Sequence, residues 1–139
     1  MNKPNKIMPQ KTKAIDKLKV TYLHWTNKQL EQLHAYLHQF NANDVMAAKI
    51  ISGEIFELAH NIKGLGGSFG YYLMTDVAVS LCEYLRYAED MAVIEEPIIV
   101  AHVQAMDAII SEELEGSGGE EGQRIMAQLQ KTIIKNSSC

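Results

Sequence analysis

The chain has 139 residues, 47% of them hydrophobic and 22% charged, with a formal net charge of −4 and two cysteines. That is the size of one domain around a single core, and two cysteines give no disulfide framework, so a reducing cytoplasmic setting is expected. The charge is uneven. Residues 1–20 hold six lysines and one aspartate, against seven basic and sixteen acidic residues in the remainder. The acidic part excludes nucleic acid as its partner, and the absence of any long apolar run excludes a membrane span or an export signal.

In chain order, residues 1–19 form a basic leader, expected to be a flexible tail. A first helix, starting at about 15 or 20 and running to 40, is marked by Leu23, Leu30, Leu33, Leu37 and Phe40. It ends at Asn41-Ala42-Asn43-Asp44, where Asn43 or Asp44 can cap a second helix over about 44–69. Thr75-Asp76 precedes a third helix with Val77, Leu81, Tyr84, Leu85 and Ala88 inward. Glu95-Glu96-Pro97 opens a fourth, proline and acidic side chains both suiting a first turn. That helix runs through Ile99, Val103, Met106 and Ile110 to Gly116-Ser117-Gly118-Gly119, a flexible break. A fifth, over about 120–135, carries Ile125, Met126, Leu129, Ile133 and Ile134. No segment has the alternation of a strand. The expected class is all-α: an antiparallel four-helix bundle over 20–115, with additional helical segments at either end and the C-terminal one in 116–139.

The second helix carries the chemistry. At about 100° per residue, Ile51, Ile55, Leu58, Ile62, Leu65 and Phe69 fall within about 40° of one line, a core-facing seam. His60 falls about 180° from that line, and Gly53, Phe56, Gly64 and Gly67 share its face with Lys63 at one flank. An exposed imidazole is largely neutral near pH 7 and can act as a nucleophile. Lys63, one turn on, can offset the charge of a phosphate carried on that ring. Glycines at 64 and 67 remove the side chains that would hold a partner away, although each weakens a helix interior by about 1 kcal/mol relative to alanine. The pattern describes a docking face with phosphoryl chemistry at its centre, and Phe56 on it reads as an anchor for a partner.

His60-x-x-Lys63-Gly64 followed by Gly67, Ser68 and Gly70 resembles the signature of histidine-containing phosphotransfer (HPt) domains of bacterial multistep phosphorelays. The match is specific over 58–71, and the helical layout fits over roughly 20–115. The resemblance implies that His60 is the phosphoacceptor, taking its phosphoryl group from a receiver-domain phosphoaspartate and passing it to another receiver. It implies partners among response-regulator receiver domains and a hybrid sensor kinase, no kinase activity in this chain, and no cofactor beyond Mg2+ on the receiver. A cytoplasmic monomer is expected. Leu65 departs from the family, which has a small residue there; on the inward seam it reads as a core substitution.

Other patterns compete less well. Glu31-x-x-His34 and Glu57-x-x-His60 are two Glu-x-x-His motifs that, with Glu83 and Glu113, imitate a di-iron bundle, but such a site needs inward projection. His34 and His38, at i and i+4, have no convincing further zinc ligands nearby. Gly64-x-Gly66-x-x-x-Gly70 lies within a helical pattern and does not follow a strand, as a nucleotide-binding loop would.

Overall fold

The computed structural model describes residues 9–91 and 93–137, which form five α-helices and a short 3-10 turn, with no strand among them. Helix α1 spans Pro9–Gln39, α2 Val45–Gly66, α3 Tyr72–Met91, α4 Glu96–Ser111 and α5 Gly119–Ser137, and the 3-10 turn Gly67–Phe69 follows α2. The chain is all-α, as its periodicity indicates. Helix α1 starts earlier than expected, at Pro9, so residues 9–19 of the basic leader are helical; residues 1–8 and Cys139 lie outside the described residues.

Helices α1 to α4 close a ring of contacts, α1 on α2, α2 on α3, α3 on α4 and α4 back on α1, while α5 packs on α4. Short loops make sequential neighbours antiparallel. The core between them holds Leu33, Ile55, Ile62, Leu73, Met74, Leu81, Ile98, Ile99, Met106 and Ile109, all essentially inaccessible to solvent. Local chemistry fixes the ends. Asp44 caps α2, its carboxylate accepting a hydrogen bond from the Ala47 amide at 3.1 Å. Glu95 precedes α4, its amide donating to the Tyr84 hydroxyl at 2.7 Å. The segment expected to be a flexible break is tied down instead: Leu73 N–H donates to Gly116 O at 2.8 Å and Gly116 N–H to Gly70 O at 2.6 Å.

Helix α2 departs from the expected seam in one respect. Its buried line is Ala48, Ser52, Ile55, Ala59, Ile62 and Gly66, rotated by about 80° from the line through Ile51, Leu58 and Leu65. The reason is the size of these side chains. Alanine, serine and glycine on that line let α3 come close, whereas the larger residues on the predicted line are pushed to its edge. Leu65 is therefore 36% exposed and is not the core substitution that the periodicity suggested. The same rotation moves Phe56 and Lys63 towards α3, and both are half-buried. Helix α3 begins at Tyr72, three residues before Thr75, which makes Thr75 a first-turn residue and not a preceding cap.

Candidate functional site

His60 is exposed on α2, between Ala59 and Ile62, which are both fully buried and fix the face it presents. Its imidazole lies nearly parallel to the Phe56 ring, with centroids 6.2 Å apart and 15° between planes. On the Phe56 ring stands Arg86 of α3, its guanidinium carbon 5.2 Å from the centroid. Phe56 thus contacts both a histidine and an arginine and is packed partly into the core. Beyond it, Lys49, Ser52, Gly53, Phe56, Arg86 and Glu89 line a groove of about 400 Å³ leading away from the histidine.

The glycines divide by environment. Around Gly53 and Gly64 a Cβ atom would meet nothing within 4 Å, so both positions are bare surface. At Gly67 a Cβ would lie 3.8 Å from the Tyr72 ring, so this glycine sits at the rim beside an aromatic side chain. Gly66 is buried, and a Cβ there would fall 2.4 Å from Thr75 Oγ1 and 3.0 Å from Tyr71 O. Gly70 adopts φ 83°, the left-handed conformation that glycine reaches at little cost. Its turn is closed by Gly70 N–H to Gly67 O at 3.2 Å and Tyr71 N–H to Gly66 O at 2.8 Å.

Lys63 sits one turn beyond His60, and its carbonyl accepts a hydrogen bond from the Thr75 hydroxyl at 3.1 Å. Beneath the face lies Cys82, whose thiol burial pushes up in pKa while the positive charges of Lys63 and Arg86 pull the other way. Two cations therefore act on the same patch of α3. Neither Thr75 nor Arg86 was picked out by the sequence, because helical phase on α2 carries no information about which α3 residues face it. The one available signal was Gly66, a glycine on a buried line, which marks a close approach by something.

The metal alternative does not survive the structure. Glu31, His34, Glu57 and His60 are not brought together. Glu57 and His60 project outwards from α2, and His34 reaches Asp107 on α4, Nε2 to Oδ2 2.8 Å. Among the described residues no three His, Cys, Asp or Glu side chains are grouped to hold a metal ion. Glu83 and Glu113, the carboxylates that would complete a di-iron centre, are both exposed, whereas such a centre needs ligands that project into the bundle. The histidine the bundle does bury is His102, whose Nδ1 donates to Ile98 O at 2.7 Å and whose Nε2 lies 2.8 Å from Ser80 Oγ. Among the described residues no helix is long and apolar enough to cross a membrane.

Comparison with curated proteins and with solved structures gave no match. The Hpt domain family matches residues 17–117, from within α1 to just beyond α4, so that α5 alone among the helices lies outside the matched region. Covering most of the chain and all four bundle helices, the match joins the exposed histidine on α2 to a known architecture: the chain belongs to the Hpt domain family, whose members serve as phosphotransfer intermediates in phosphorelays.

Proposed function

We propose that His60 is the phosphoacceptor of a relay between receiver domains. The observation that carries this reading is the combination on one face of α2: an exposed imidazole, Lys63 one turn on, and bare backbone at Gly53 and Gly64. A receiver domain brings an aspartyl phosphate together with its own Mg2+. The neutral His60 ring nitrogen attacks phosphorus in line, the P–N bond forms as the acyl P–O bond breaks, and the aspartate leaves as a carboxylate. The Lys63 ammonium offsets the charge on the equatorial oxygens during the transfer. Gly53, Gly64 and the rim at Gly67 let the receiver's active site approach the ring, and Phe56 sets the imidazole plane. Because a phosphohistidine is itself a high-energy linkage, the step runs in both directions, and the chain needs no nucleotide site of its own.

Incubation with receiver domains carrying labelled phosphoaspartate, followed by assay for acid-labile, base-stable label, tests this reading. Transfer to the wild type and none to His60→Gln, with unchanged melting temperature, is the expected result. Label remaining on His60→Gln would reject His60 as the acceptor.

A further inference from the structure

Lys63 lies in the last turn of α2, which is capped by Gly67. The Lys63 carbonyl accepts a hydrogen bond from the Thr75 hydroxyl, 3.1 Å away and twelve residues further along the chain. The contact depends on Gly66, because a Cβ at that position would stand 2.4 Å from Thr75 Oγ1. The segment held in this way is weak by composition. Gly64, Gly66 and Gly67 all lie in it, and each glycine lowers helix stability by about 1 kcal/mol relative to alanine. Two hydrogen bonds from α3 and its preceding residue, Thr75 Oγ1 to Lys63 O and Tyr71 N–H to Gly66 O at 2.8 Å, take the place of that missing propensity.

Resting on the assignment of His60 above, we propose that Thr75 is a positioning residue of the phosphoryl site: its hydroxyl fixes the Lys63 backbone and so aims the Lys63 ammonium at the group on His60. The side chain suits the task. Threonine is β-branched and held to few χ1 rotamers in a helix, and Thr75 is anchored in the first turn of α3, where its own N–H reaches Tyr71 O at 3.3 Å. Valine has the same shape and lacks the donor. Serine keeps the donor.

Phosphoramidate, a small phosphoryl donor that needs no receiver, reports on the site in isolation. The initial rate of His60 labelling is measured for the wild type, Thr75→Val and Thr75→Ser, and again for Thr75→Val in a Lys63→Ala background, with melting temperatures alongside. Thr75→Val should slow labelling by about tenfold, the scale of loss when a charge-stabilising group drifts off line. Thr75→Ser should stay within about twofold of the wild type, since it retains the bond. Once Lys63 is alanine, Thr75→Val should have no further effect, because the group it positions is gone. A labelled wild type with an equal rate for Thr75→Val, or an equal loss for Thr75→Val in the Lys63→Ala background, would overturn the role of Thr75 and leave His60 standing. A wild type that takes no label on His60 would overturn the His60 assignment and this proposal together.

Discussion

Phe56 and His60 lie ring to ring on successive turns of α2, centroids 6.2 Å apart and planes within 15° of parallel. With the Arg86 guanidinium of α3 over its ring and its side chain packed against the core, Phe56 belongs to the bundle as well as to the face. Truncation to alanine should therefore cost about 1–2 kcal/mol of stability, less than the 3–5 kcal/mol of a fully buried phenylalanine. It should also weaken receiver binding by about fivefold or more, as expected of an interface anchor. Denaturant unfolding and titration with a receiver domain measure the two effects separately. Arg86→Ala, which removes only the cation over the ring, should cost no more than about 1 kcal/mol.

His102 gives the stability of the bundle a pH dependence. Burial lowers its pKa, partly offset by the hydrogen bond to Ile98 O, so the folded protein holds the ring neutral. Below the ordinary histidine value, near 6.5, the unfolded chain binds a proton that the folded chain refuses. The contribution of His102 is thus fully present above about pH 6.5 and is lost as pH falls towards the lowered folded-state value. Melting temperature should drop between pH 7.5 and 5, and His102→Gln should show a shallower drop over the same interval. Parallel curves for the two proteins would mean that His102 is not the source.

Much of this was legible in the chain. Four bundle helices and a C-terminal one follow from apolar spacing, the Asp44 cap and Pro97, and the exposed His60 with Lys63 follows from phase on α2. What the chain hid has a common physical origin. Hydrophobic phase locates the largest side chains, but the closest helix contact is made by the smallest ones. Ala48, Ser52, Ala59 and Gly66 therefore set the true axis of burial, which is why Leu65 turned out exposed and Phe56 half-buried. Thr75 and Arg86 belong to another helix, and pairings between helices are tertiary information that periodicity within one helix does not contain. His102 carries no signal in the chain, because a single histidine in an apolar run has no local mark of the serine and carbonyl that satisfy it.

Helix α5 stands apart from the site in space as well as from the matched region. It packs on α4, with Leu129 only 3% exposed, while His60 lies on α2. Leu129→Ala should lower stability by about 2–3 kcal/mol, the lower part of the range for leucine truncation, since this interface is open on one side. His60 labelling by phosphoramidate should be unchanged at a temperature where the variant is folded. A fall in labelling with the fold intact would mean that α5 is coupled to the site, for which the Gly116 hydrogen bonds to Gly70 and Leu73 offer the route.

Two glycines two residues apart on α2 should respond in opposite directions to the same methyl group. At Gly64 a Cβ meets nothing within 4 Å, so Gly64→Ala should stabilise the protein by up to about 1 kcal/mol, from helix propensity and the smaller entropy of the unfolded chain. At Gly66 the same atom would fall 2.4 Å from Thr75 Oγ1 and 3.0 Å from a backbone oxygen. Threonine can turn away only by giving up its bond to Lys63, and the backbone can yield only by separating α2 from α3. Gly66→Ala should therefore destabilise by about 1–3 kcal/mol, the usual cost of overpacking, and slow His60 labelling as Thr75→Val does. Gly64→Leu completes the comparison: placed on bare surface, it should leave the melting temperature at or above that of the wild type. It should nevertheless reduce transfer from a receiver, because the added side chain stands where the partner must approach. Labelling of Gly64→Leu by phosphoramidate, a donor small enough to pass the leucine, should stay near the wild-type rate. Wild-type transfer from the receiver to Gly64→Leu would show that the bare backbone at this position has no part in docking.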